Sequence, residues 1–423
     1  MNMTQYPKLD ETVYRSKLPC GLTVAVVPKP GFTRKLAYFV TDFGSIHTDF
    51  ELDGEIFRVP AGVAHYLEHK LFEMPGRNDV SAEFAALGAN VNAFTSYDMT
   101  AYYFSCTENF EESLKLLLEF ASTAYFPEES VIREQGIIDQ EIGMYLDSPE
   151  ARSFDRLMEN MYRKHPIRVP ILGTQESIRE ITPEILELCH RAFYAPGNMI
   201  LCVVGDVDPE IVEKLANQVL GSEPRPVAKK LRQWQEEMTC VAENSTEQME
   251  VAMPTFQLGF KCEELPTGEA AIHGEIVGDL AAEALFGESS ELYLRMYEDG
   301  LIDASFGGGF ESVDGGAILV CGGDSLQPEK VRDAILAGAQ QLLENGIDEE
   351  SFLRMKRSAL GRRIRDLDSF DSTCFRICAY HFANFDYLQF PRVYAQVQRS
   401  EVYEFIKRVV VQQRCSLSVI APL

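Results

Sequence analysis

Residues 61–74 read Ala-Gly-Val-Ala-His-Tyr-Leu-Glu-His-Lys-Leu-Phe-Glu-Met and hold two of the chain's seven histidines. Pro60 and Gly62 stand at the start, and no further Pro or Gly intervenes until Pro75 and Gly76, so the stretch predicts a helix. On a helix His65 and His69 leave one face a turn apart, and two ring nitrogens can reach one ion. Glu68 lies on the edge of that face, where a carboxylate reaches the ion's surroundings without ligating it. The order His-x-x-Glu-His inverts the His-Glu-x-x-His zinc helix. A lone histidine on an apolar face is more often packed core than ligand. Here Val63, Leu67, Leu71 and Phe72 make the stretch otherwise apolar, and burying three polar groups unpartnered would cost several kcal/mol. One metal ion satisfies all three.

Two imidazoles do not complete a catalytic zinc site, which takes three protein ligands and an open position for water. Glu134 and Glu141 are two turns apart on a predicted helix, sharing a face with Ile138 between them. One could ligate and the other orient a ligand. Spacing alone favours the plainer alternative, a solvated acidic face. Cys374 and Cys378, with His381 nearby, offer a further metal possibility, but they lack the paired Cys-x-x-Cys of structural zinc.

The elements that must position these residues alternate between strand and helix. Leu22–Val27 and Leu36–Val40 read as strands around a turn at Pro28–Gly31, and 43–60 reads as a loop leading to the histidine helix. A short helix over 80–87 starts after Asn78-Asp79 and closes at Gly88. Strands Asn90–Thr95 and Thr100–Cys106 form a hairpin through Ser96-Tyr97-Asp98. Helices follow over 109–124, 128–146, 150–162 and, capped by Thr182 with Pro183 at its first position, to about 192. Met199–Val204 is a buried strand. The turn-rich Gly221–Pro226 divides the chain into domains 1–222 and 223–423. The second half has strands over 256–262, near 303–310, 316–321 and 415–420, with helices over 268–286, 327–344, 348–367 and 400–410. Residue identity between the halves is not evident, but the similar element order suggests an old duplication.

The chain has 423 residues, 46% hydrophobic and 25% charged, an ordinary globular balance large enough for two or three domains. No basic patch and apolar run open it, and no stretch nears the roughly 20 apolar residues of a membrane helix, so a soluble, cytoplasmic protein without a membrane partner is expected. Ten scattered cysteines, mostly in apolar runs, read as reduced thiols. A net charge of −26 argues against nucleic acid. It either favours basic peptides or serves only solubility.

His65-x-x-Glu68-His69, followed some seventy residues later by two glutamates seven apart, resembles the pitrilysin, insulysin and mitochondrial processing peptidase family of zinc peptidases. Lys70-Leu71-Phe72-Glu73 continues the motif, and Asn92-Ala93-Phe94-Thr95 is similar to the family's substrate-binding strand. Arg133-Glu134 to Glu141-Ile142 is similar to its third-ligand helix. The size matches half-length bacterial members. The resemblance implies an α/β (α+β) fold of two homologous domains, each an antiparallel-rich sheet with helices packed on one face. It implies one Zn2+ per chain on His65, His69 and Glu141, with Glu68 as general base and Glu134 supporting a ligand. Asn92, Ala93 and Thr95 would sit beside the peptide. In the second half the family's Arg, with Tyr seven residues later, resembles Arg295, but Ile302 stands at the Tyr position. An apolar side chain cannot donate to an oxyanion. A homo- or heterodimer with a homologous subunit that supplies the missing clamp is therefore expected. Tyr297 standing in for that Tyr is the alternative. A non-catalytic scaffold subunit is the rival for the whole protein, as is a hydrolase of some other bond.

Overall fold

The computed structural model describes every residue except 77, 78 and 233. Asn78, expected to open the helix over 80–87, lies outside the described residues. The chain divides into two compact units. One comprises Met1–Ile142, Pro170–Gln233 and Ile364–Gln389, and the other Gly143–Val169, Trp234–Arg363 and Phe390–Leu423. The single cut after 222 expected from sequence thus differs from the units at 143–169 and 364–389, because local patterning carries no signal for segments that pack far from their chain neighbours.

The first unit is built from strands β1 (Asn2–Tyr6), β2 (Glu11–Lys17), β3 (Thr23–Pro28), β4 (Lys35–Thr41), β5 (Asp49–Leu52), β6 (Glu55–Arg58), β7 (Asn90–Thr95), β8 (Thr100–Cys106), β9 (Met199–Gly205) and β10 (Lys229–Lys230). Seven form a sheet ordered β1-β2-β3-β9-β4-β8-β7, antiparallel except between β3 and β9. β5 and β6, in the region 43–60 read as a loop, form a smaller sheet with β10. Its signal was present: Asp53-Gly54, both at positive φ, is the two-residue hairpin turn, and Phe50 and Leu52 alternate inward. The helices associated with this half are α1 (Val63–Leu71), α2 (Ser81–Ala86), α3 (Phe110–Ser122), α4 (Glu128–Leu146), α5 (Pro149–Met161), α6 (Gln175–Ile178), α7 (Pro183–Phe193) and α8 (Pro209–Leu220). Thr182 caps α7 with Pro183 at its first turn, as the sequence predicts. Val26, Phe39, Phe104 and Leu201 on one sheet face share a core with Leu67, Leu117 and Phe120.

The second sheet contains β11 (Asn244–Met249), β12 (Thr255–Cys262), β13 (Gly307–Val313), β14 (Gly316–Asp324) and β15 (Cys415–Pro422), ordered β11-β15-β12-β14-β13, with only β11 and β15 parallel. Its chain-order pattern matches that of β3-β9-β4-β8-β7, so both units repeat one five-strand core. The accompanying helices are α9 (Glu269–Phe286), α10 (Glu291–Glu298), α11 (Pro328–Asn345), α12 (Glu349–Arg365), α13 (Phe370–Phe382), α14 (Phe390–Gln396) and α15 (Arg399–Val409). Two mixed α/β domains with antiparallel-rich sheets agree with the sequence reading.

Each half also lends a helix to the other half's sheet. In the second unit α5 packs on β12 and β15, where a Cβ added to Gly259 would stand 2.6 Å from Sδ of Met161. In the first, α13 packs on β9 and β4, and Cys374 Sγ donates to the carbonyl of Cys202 at 3.7 Å. The strand order brings out a repeat that sequence inspection missed. Glu128-Glu129-Ser130, Arg133 and Leu146-Asp147-Ser148 recur without gaps as Glu349-Glu350-Ser351, Arg354 and Leu367-Asp368-Ser369. Ser148 and Ser369 cap α5 and α13 identically, each accepting from the N–H three residues on.

Candidate metal centre

α1 begins where the backbone demands glycine. Gly62 has φ +88°, and a Cβ there would meet the carbonyl oxygen of Leu172 at 2.4 Å. Gly173, at φ +77°, approaches the carbonyl of Ala61 as closely, and Ser177 Oγ donates to that carbonyl at 2.8 Å. Val63, Ala64, Leu67 and Leu71 bury the apolar face, and the histidines emerge at one end with ring centroids 4.6 Å apart.

α4 brings in the carboxylates. His65 Nε2 lies 3.7 Å from Glu141 Oε1, and His69 Nε2 lies 3.5 Å from Glu141 Oε2. These separations exceed hydrogen-bond length, but they suit ligands sharing an ion at about 2.0–2.2 Å from each. The three ligand atoms fall within 4.8 Å of one another, the only such group of three or more among the described residues. Cys374, Cys378 and His381 form no such group. The two thiols are wholly buried in the sheet–helix packing instead.

The remaining ring nitrogens fit the same ion. His69 Nδ1 is 3.0 Å from Glu134 Oε1, which holds the proton on Nδ1 and leaves the Nε2 lone pair toward Glu141. His65 Nδ1 is buried without a hydrogen-bond partner among the described residues, so Nε2 is its binding nitrogen. Burial, then the His69 charge, push the His65 pKa down to about 3, which keeps its ring neutral and able to ligate. Burial also lowers the pKa of His69, but the Glu134 hydrogen bond with the charges of Glu68 and Glu141 outweighs it and raises the value. Glu134 is held down chiefly by its hydrogen bond to His69. Zinc, with two imidazoles and one carboxylate, fits this donor set.

Glu68 faces the same space, and Thr95 Oγ1 on β7 donates to its Oε2 at 2.6 Å. Burial raises the Glu68 pKa, opposed by the Thr95 hydrogen bond and by His69. Among the described residues β7 is the sheet's edge strand, paired only with β8. Asn92 and Ala93 line a cleft with Glu68, His69, Phe72 and Arg133. Ala93 N–H donates to the Asn92 side chain at 2.8 Å. Lys70, which the sequence marks only as a continuation of the motif, is 1% exposed, and its signal was one lysine in an apolar run.

Residues 59–175 match the family described as "Insulinase (Peptidase family M16)", and residues 180–359 match "Peptidase M16 inactive domain". A Bacillus subtilis protein named "uncharacterized zinc protease YmfH" is 36% identical over 99% of this chain and 98% of its own. The chain belongs to peptidase family M16. An M16-like peptidase from Alicyclobacillus acidocaldarius has a structure that superposes with a TM-score of 0.94 at 30% identity, covering 98% of this chain and 99% of that one. The fold is also shared by the periplasmic protease PqqL of Escherichia coli, at 18% identity and a TM-score of 0.74. There the match covers all of this chain but 48% of PqqL.

The positions expected from sequence to hold the clamp lie in the second unit of this M16 chain. Arg295, on α10, is exposed and donates to Gln341 Oε1 at 2.9 Å. Ile302 is 5% exposed, packed as core. Tyr297 is 52% exposed and stacks on Tyr293 at 6.1 Å.

Proposed function

We propose that this chain is a zinc-dependent endopeptidase hydrolysing peptides or unfolded segments, with one Zn2+ per chain. The observation that carries it is the aim of both Nε2 atoms at one carboxylate, with Glu68 held by Thr95 beside them. His65, His69 and Glu141 would hold the metal. When bound, zinc would acidify a water and polarise the scissile carbonyl. Glu68 takes the water's proton and returns it to the leaving amine, its raised pKa bringing it nearer the working range of a base. Glu134 keeps His69 in the ligating tautomer. A peptide adds as a strand along β7, contacting Asn92, Ala93 and Thr95 through main-chain hydrogen bonds, which gives weak sequence preference. The repeat supports one metal per chain, since α12 carries Met355 and Arg362 where α4 carries Glu134 and Glu141. Arg362 is paired with Glu283 at 2.7 Å.

The site is completed by a homologous subunit, in a homo- or heterodimer, that supplies the donor missing at Ile302. The setting is cytoplasmic, where the ten cysteines stay reduced. No helix among the described residues is long and apolar enough to cross a membrane. A second reading, a non-catalytic scaffold subunit, draws on the buried Ile302 alone. The deciding experiment is Glu68→Gln. It should retain stoichiometric zinc and lose about a hundredfold or more in peptide hydrolysis. Unchanged turnover removes Glu68 as the base, and a wild type that binds zinc but cleaves nothing with any partner favours the scaffold.

A further inference from the structure

α1 and α4 are joined by a run of polar contacts beyond the ligands. The Tyr66 hydroxyl donates to the carbonyl of Val131. Lys70 Nζ donates to Glu73 Oε2 at 2.6 Å and to Ser130 Oγ at 2.9 Å. Arg133 donates to the same Glu73 oxygen at 3.1 Å, and His69 meets Glu134 at 3.0 Å. All of these contacts fall on the first two turns of α4. Glu141 lies eleven residues past Ser130, about 16 Å along the axis. Its side chain is 41% exposed, and its carboxylate lies 3.7 Å from His65 Nε2 and 3.5 Å from His69 Nε2.

Glu141 is thus carried on a helix whose first two turns are gripped by α1 and whose later turns bury Ile138 and Ile142 in the core on either side of it. A tilt of about 4° at the gripped turns would move Glu141 by about 1 Å over this length, against a tolerance of about 0.2 Å in a zinc–ligand distance.

We propose that Lys70 is a positioning residue of the metal centre: its buried ammonium locks α1 to the first turn of α4 and so sets where Glu141 arrives. The role rests on the metal reading above. Stability alone does not account for a lysine here. Leu67 and Leu71 flank it on the buried face, and with Glu73 still paired to Arg133 an apolar side chain of like length would pack there without desolvating a charge. What an ammonium adds is direction, since it must face both Ser130 Oγ and Glu73. Arg133 keeps Glu73 paired if Lys70 is lost.

The test is zinc affinity by chelator competition, with the melting temperature of the metal-free protein, for wild type, Lys70→Met, Ser130→Ala and His65→Ala. Lys70→Met should bind zinc about tenfold to a hundredfold more weakly while its metal-free form melts no lower than wild type. Ser130→Ala, which removes one acceptor, should fall between. Wild-type affinity in folded Lys70→Met overturns the proposal. Should Lys70→Met not fold, wild-type affinity in Ser130→Ala overturns it equally. His65→Ala separates the two levels. Stoichiometric zinc in wild type and its loss in His65→Ala uphold the metal centre whatever Lys70→Met does. Zinc absent from wild type, or kept by His65→Ala, removes the centre and the role of Lys70 together.

Discussion

His69 is gripped from both ring nitrogens, by Glu134 at Nδ1 and toward Glu141 at Nε2. Although burial opposes it, the surrounding carboxylates raise its pKa above the ordinary 6.5. The sign follows directly. A raised pKa means that a proton competes with the ion at a higher pH than at a free imidazole, so zinc affinity should decline as pH falls through that value, by about tenfold per unit for one displaced proton. His65, near 3, takes no part in this range. Chelator competition across mildly basic to mildly acidic pH would show one proton exchanged, and Glu134→Gln should move the decline to lower pH. A decline unmoved in that variant would show that Glu134 does not set it. Glu68, by contrast, earns its place through Thr95, a contact that arises only because β7 returns beside α1.

At the level of elements, the exchange of α5 and α13 must be fastened. In the second unit Glu236 does this at the end of α5. Its carboxylate accepts from the backbone N–H groups of Arg163, Lys164 and His165 and from the buried Lys261 ammonium, 3.0 Å away. Burial would raise the Glu236 pKa, but these donors pull it down to about 2. A carboxyl depressed in the folded state stabilises above its unfolded pKa, and that stability is lost as pH falls toward the folded value. Glu236→Gln should therefore cost about 2–3 kcal/mol near neutrality and progressively less from about pH 4 downward. Urea unfolding of both proteins at several pH values checks this, and a cost independent of pH would refute it. Gly259 contributes by letting α5 approach β12, which a side chain would prevent.

For the whole molecule, the five-strand core is repeated, but only one of the two corresponding helix pairs carries the candidate metal-binding cluster among the described residues. On α9 and α12, Glu275 and Glu283 bind Arg363 and Arg362, where α1 and α4 bring histidines to Glu141. Ion pairs occupy that place in the second unit. The proposed function, with Ile302 buried, takes the clamp from a partner subunit. The purified chain alone should hydrolyse peptides feebly, and adding its homologous partner should restore turnover. Full activity of the lone chain, surviving Arg295→Ala, would refute the partner requirement.

The sequence by itself determined the histidine helix, the glutamate between its ligands and most of the core elements, because each depends on spacing within one or two turns or on period-two alternation. Even the missed hairpin at Asp53-Gly54 was local and legible. Glu141 was different: by spacing it was better suited to a solvated face, only the family resemblance named it a ligand, and the docking of α4 on α1 turns it toward the imidazoles. The same holds for Thr95 against Glu68, for the burial of Lys70, and for α5 and α13 leaving their own halves. These are contacts across sixty or more residues or between sheet and helix. Periodicity states which face a helix buries, and tertiary packing alone decides what that face meets.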